Sequence, residues 1–206
     1  MIITDIVQKR KRLSALYIDG EFAMKLDTET LLASRFSVGS EITDEELKEL
    51  IDQSNEKRAK EKALWLISYR DHSKKELTEK VRKTSDDDSA RKAVERMEEL
   101  GLVDDEKFAR RYAEELIFTK HLSIKGARYK LTEKGIDREL ADEILEELDP
   151  DPREHIRIIV ERKYKTALSD EKGRRRCVAA LQRMGYSWSD INAVFGEYNE
   201  ETEYEI

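Results

Sequence analysis

SKKELTEKV (73–81), SIKGARYKL (123–131) and GRRRCVAAL (173–181) decide the fold once they are written under one another. The offset is 50 residues both times, without a gap. Leu77, Ala127 and Cys177 then correspond, as do Val81, Leu131 and Leu181. One helix earlier, Ala63, Leu66 and Ile67 correspond to Ala113, Leu116 and Ile117, while the third copy is blurred there. Apolar positions recurring at steps of three and four mark one stripe of a helix, and a fixed long period marks a tandem repeat. The expected architecture is mainly α: three tandem three-helix repeats in an extended, curved array.

The joints between helices share one chemistry. A glycine ends a helix, a large apolar residue follows, and a polar residue opens the next: Gly101-Leu102-Val103-Asp104, Gly135-Ile136-Asp137 and Gly185-Tyr186-Ser187. Glycine takes a positive φ without steric cost, and Asp or Ser caps the next helix through its side-chain oxygen. Asp104 and Asp105 therefore read as a helix start and not as a catalytic pair, because adjacent residues on a helix do not face each other. With Asp104 as the cap, Val103 and Phe108 have the spacing of a hydrophobic staple.

Composition agrees with thin helical layers. Of 206 residues, 41% are charged and 38% hydrophobic, too few apolar groups for one large core but enough for a stripe on each helix. The net charge of −7 argues against a protein coated in nucleic acid over its whole surface. A single cysteine, Cys177, excludes an internal disulfide. No apolar run approaches a membrane span, and MIITDIVQKRKR (1–12) lacks a secretory apolar region. A soluble, cytoplasmic monomer is expected, with no membrane partner.

Residues 1–26 read differently. Apolar and polar residues alternate on either side of Asp19-Gly20, a hairpin signal, so two or three short strands are expected. Thr43 with Glu46 resembles a capping box that opens a helix carrying Leu47, Leu50 and Ile51. The expected division is a hairpin-plus-helix extension (1–54), repeats at 55–103, 104–149 and 150–196, and a disordered acidic tail at 197–206.

Candidate chemistry is sparse. Asp86, Asp87 and Asp88 lack the spacing and turn glycine of a cation loop, and read as a cap for the helix carrying Val94, Met97 and Leu100. His72, His121 and His155 form no metal-ligand pattern; His72 and His121 sit just before the expected caps Ser73 and Ser123 and are expected to pack partly at helix joints. Cys177 shares its stripe with Leu181 and Met184, so a buried structural thiol is expected despite the neighbouring arginines. No cofactor, metal or catalytic constellation is expected.

The basic residues offer more. Lys172, Arg175, Arg176 and Arg183 fall opposite the apolar arc of their helix, and the repeat offset makes Lys75, Lys125 and Arg175 equivalent, outward positions. Arg128 and Tyr129 lie on the outward side with Lys125. Residues 150–196 hold ten Lys/Arg against six Asp/Glu, whereas EYNEETEYEI (197–206) adds five glutamates. Two readings stand side by side: a recognition stripe, or the solvated face of ordinary helices. On the first reading the acidic tail competes with DNA for the stripe.

Three motifs carry a resemblance to the RecX family, bacterial regulators of the RecA recombinase: Arg70-Asp71-His72-Ser73-Lys74-Lys75-Glu76-Leu77, Gly101 through Ala109, and Lys134-Gly135-Ile136. It covers about residues 55–196, and the hairpin looks like the extension of longer, Gram-positive-type members. Met184-Gly185-Tyr186 departs from the pattern in the third copy. The resemblance implies a non-enzymatic regulator, expected to inhibit, that binds along the RecA–DNA filament and modulates ATP hydrolysis, strand exchange and co-protease activity. It places the chain in DNA repair, homologous recombination and the SOS response. The alternative is a helical module that acts by occupying single- or double-stranded DNA.

Overall fold

A computed structural model describes residues 1–10 and 12–204. The chain divides into two compact units, Met1–Asp104 and the residues from Asp105 onward.

The first unit opens with an antiparallel sheet of order β1-β2-β3, formed by β1 (Ile3–Arg10), β2 (Leu13–Ile18) and β3 (Glu21–Asp27). Asp19 and Gly20 both have positive φ, 51° and 88°, the turn geometry that matches the twist of a two-residue hairpin. Helix α1 (Thr28–Ala33) follows, capped by Asp27. The long α2 (Asp44–Tyr69) begins at Thr43, whose hydroxyl accepts from the Glu46 amide while the Glu46 carboxylate accepts from the Thr43 amide. This is the expected capping box.

Helix α2 crosses the boundary expected between residues 54 and 55. Neither glycine nor proline interrupts it. Its buried stripe changes face instead: Leu50 joins the core under the sheet and the Ser54 hydroxyl accepts from the Asp27 amide at 2.7 Å, whereas Ala59 and Ala63 join the core of the first repeat. The five-residue step from Ser54 to Ala59 turns the stripe by about 140°, so one helix looks like two in the sequence. Helices α3 (Lys74–Val81), capped by Ser73, and α4 (Asp87–Glu99), capped by Asp86, complete this repeat. Val94 and Met97 are buried as expected, but Leu100 is 50% exposed because it is the C-cap of α4.

The second unit holds two repeats. The first comprises α5 (Asp105–Glu114) with a π-helical end (Glu115–Thr119), α6 (Ile124–Glu133) and α7 (Arg138–Leu148). The second comprises α8 (Pro152–Ile159), π and 3₁₀ turns through Ser169, α9 (Glu171–Arg183) and α10 (Trp188–Tyr204). Helix α10 therefore extends through most of the segment expected as a disordered tail; Glu205 and Ile206 lie outside the described residues.

The repeat alignment is realised in burial. Leu77, Ala127 and Cys177 are each fully buried, as are Val81, Leu131 and Leu181, one pair in each of three separate cores. The three glycine joints close identically. Gly101, Gly135 and Gly185 take φ of 68°, 83° and 93°, and the next residue's amide (Leu102, Ile136, Tyr186) donates back to the carbonyl of Met97, Leu131 or Leu181. That pair of features is the Schellman closure, which satisfies carbonyls that a helix end leaves without partners. Helix α5 starts at Asp105, which leaves Asp104 at the cap position, yet Val103 belongs to the core of the first repeat and Phe108 to that of the second. The expected staple pair is thus divided between two cores.

Candidate functional site

Helices α6 and α9 present the candidate basic residues. Each is held by an N-cap: the Ser123 hydroxyl accepts from the Gly126 amide at 3.1 Å, and the Asp170 carboxylate accepts from the Gly173 amide at 2.5 Å. Ala127 and Leu131 bury one side of α6, and Gly173, Cys177 and Leu181 bury one side of α9. The opposite side is left outward by the period of the helix, so Lys125 on α6 and Lys172, Arg175, Arg176 and Arg183 on α9 are all exposed. Lys75 takes the same place on α3 in the first unit, exposed two residues before buried Leu77.

Not all of these cations are equally available. Arg175 pairs with Glu171 at 2.5 Å, but the two side chains are 78% and 79% exposed, and such a surface pair is worth little in water. Arg128 differs: its guanidinium meets the Asp142 carboxylate of α7 at a partly covered site, which ties α6 to α7. Tyr129 is 62% exposed with the Lys130 ammonium 5.5 Å from its ring centre. Arg174, which the basic row omits, lies over the Phe195 ring at 5.8 Å.

Lys125 stands at the edge of a recess of about 300 Å³ at the joint between α6 and α9, lined also by Ser123, His155, Tyr186 and Asp190. The joint is a close backbone contact. A Cβ on Gly126 would overlap the Met184 carbonyl, and one on Gly185 would overlap the Ser123 hydroxyl. The Tyr186 hydroxyl donates to the His121 carbonyl at 2.8 Å, and the His121 and His155 rings meet edge to face at 5.2 Å. Burial lowers the pKa of both histidines; nearby His155, Arg162 and Lys163 lower that of His121 further, while Asp151 and Glu154 partly oppose the shift at His155. The neutral forms are favoured.

The remaining candidates behave as structural parts. Burial pushes the Cys177 thiol up to about 11, so the flanking arginines do not activate it. Asp86 accepts from the Ser89 amide at 2.9 Å. His72 is 4% exposed and bonds to the Arg70 carbonyl through Nδ1 at 2.8 Å, with the Lys80 ammonium 2.9 Å from Nε2. Among the described residues, no group of three or more His, Cys, Asp or Glu side chains is placed to hold a metal ion. No helix among them is long and apolar enough to cross a membrane. Glu197, the first acid of the tail, forms a two-point pair with Arg157 of α8 at 2.9 and 3.0 Å.

Sequence reasoning missed Gly126. Its signal was present: a glycine inside a helix costs about 1 kcal/mol relative to alanine, and the equivalent position of the first repeat holds Glu76. Such a glycine points to close backbone approach.

Known proteins share this arrangement. Residues 59–97, 104–145 and 151–195 match family models described as the first, second and third three-helix domains of RecX. A regulatory protein RecX of Clostridium tetani is 29% identical over 93% of this chain and 91% of its own. One from Caldanaerobacter subterraneus is 32% identical over 79% of this chain and 84% of its own. A crystal structure of a regulatory protein RecX superposes with a TM-score of 0.61 at 20% identity, covering 95% of this chain and 98% of that one, which supports the fold.

Proposed function

Since the chain belongs to the RecX family of regulatory proteins, we propose that it regulates RecA by binding along the RecA–DNA filament and restraining its ATPase, strand-exchange and co-protease activities. The contact face of the second unit is the outward side of α6 and α9, with Lys125, Lys172, Arg175, Arg176 and Arg183; in the first unit Lys75 on α3 holds the equivalent place. One observation carries this reading: Lys75, Lys125 and Arg175 are all exposed at equivalent places, each two residues before a fully buried core position. A tandem array that repeats one surface can meet a polymer that repeats one subunit, so weak contacts add as avidity. The binding is of cytoplasmic protein to nucleoprotein, without catalysis by this chain.

The test is RecA's ATPase on single-stranded DNA at ratios well below one of this chain per RecA. Inhibition at those ratios that survives moderate salt supports action on the filament. The excess of basic residues in 150–196 favours a second reading, occupation of DNA itself; that reading predicts no effect until the DNA is saturated, and a steep loss with salt.

A further inference from the structure

The side of α2 that faces the sheet runs on past it. Ser54 bonds to Asp27, Lys57 pairs with Asp27 at 3.1 Å, and Glu61 pairs with Arg12 at 2.8 Å, all along one line of the helix. The next residues on that line are Trp65 and Tyr69, 51% and 72% exposed. Their rings meet edge to face at 4.8 Å, and the Lys62 ammonium lies 3.9 Å from the centre of the Trp65 ring.

Arg12 directly precedes β2, and the paired end of β1 opposite carries Gln8, Lys9 and Arg10. Lys9 and Arg10 there are exposed, and Lys9 is skipped in the strand register between the Gln8–Ser14 and Arg10–Leu13 pairs. The extra residue bulges the strand and breaks the flat edge. The Arg12–Glu61 pair thus sets the basic end of β1 one helical turn before two exposed aromatic rings. Glu61, the acid at this junction, is already engaged by Arg12.

We propose that the end of β1, with Arg12, and the Trp65–Tyr69 face of α2 form a binding site for single-stranded nucleic acid, with bases against the rings and phosphates against Lys9, Arg10, Arg12 and Lys62. Ring faces beside basic side chains suit a strand whose bases are unpaired, because each base has a π-face to stack and each linkage a charge to neutralise. A duplex hides its base faces from these rings. This site lies in the N-terminal extension and the helix leading from it, and does not depend on the filament contact proposed above.

The chain has two tryptophans, so Trp188→Phe leaves Trp65 as the sole reporter. Oligothymidylate of about 15 nucleotides, added without RecA, is expected to quench Trp65 emission; single-strand sites span roughly 4–16 nucleotides. Four phosphate contacts predict an affinity that falls about fiftyfold between 50 and 200 mM salt. Lys9→Glu with Arg10→Glu should weaken binding about tenfold or more. Tyr69→Ala should weaken it roughly five- to hundredfold, as loss of one stacking ring does. All three positions are exposed, and an unchanged circular dichroism spectrum confirms that the variants fold. The proposal is overturned if the oligonucleotide does not bind, if it binds without changing Trp65 emission, or if the Lys9/Arg10 variant binds as the parent does. A Trp65 response to RecA alone would overturn it in favour of a protein partner. Because RecA is absent from the main titration, failure here leaves the filament reading standing.

Discussion

Ser123 and Met184 are joined twice: the Ser123 amide and hydroxyl both donate to the Met184 carbonyl oxygen, each at 3.1 Å. The same hydroxyl accepts from the Gly126 amide. One serine therefore caps α6 and fastens it to the end of α9, 61 residues away in sequence. The fit leaves no room for a methyl group at residue 126.

Gly126→Ala is accordingly expected to destabilise the second unit although alanine is the better helix former. Overpacking of this kind costs about 1–3 kcal/mol, which outweighs the gain in propensity of about 1 kcal/mol. Thermal unfolding measures it; an unchanged or raised Tm would refute the close contact between α6 and α9.

The histidines set a pH dependence. His72, His121 and His155 all have pKa values lowered by burial, so each binds protons less readily folded than unfolded. Stability from the neutral rings is present above the unfolded value near 6.5 and is lost as pH falls through the lower folded values. Melting temperatures should drop between pH 7 and pH 5. In a His121→Gln, His155→Gln variant that drop should be smaller.

Cys177 should resist thiol reagents in the folded protein at pH 8, because it is fully buried and its thiol is pushed up to about 11. Unfolding in guanidinium should release stoichiometric labelling. Cys177→Ser places a hydroxyl in that core and should cost about 1–3 kcal/mol unless it finds a partner.

Charge reversal at the proposed recognition face separates binding from folding. Lys125→Glu with Arg175→Glu removes two exposed cations whose loss should leave the Tm within about 1–2 °C, since exposed substitutions usually change stability by less than 0.5 kcal/mol. Filament binding and inhibition of the RecA ATPase should fall about tenfold or more. Unchanged inhibition would show that these helices do not carry the contact.

The repeat was legible because burial repeats. A residue that must be small or apolar to enter a core leaves its mark at every copy, so Leu77, Ala127 and Cys177 could be aligned before any coordinates. Local closures were legible for a similar reason: a positive φ selects Gly101, Gly135 and Gly185, and an N-cap selects Ser73, Asp86 and Ser123. The basic row was legible only as outwardness. Which of its cations are engaged was not, since Arg128 looks like Lys125 in sequence and differs by meeting Asp142.

By itself, then, the sequence determined the elements, the repeat and the buried stripe of each helix, because these depend on residues within a few turns of one another. Tertiary structure alone decided that α2 is one helix shared by sheet and repeat, that Gly126 meets Met184, and that Arg12 stands beside the helical turn leading to Trp65. Those outcomes join residues far apart in the chain. Their partners are chosen by how whole elements pack, and no local period or propensity records that choice.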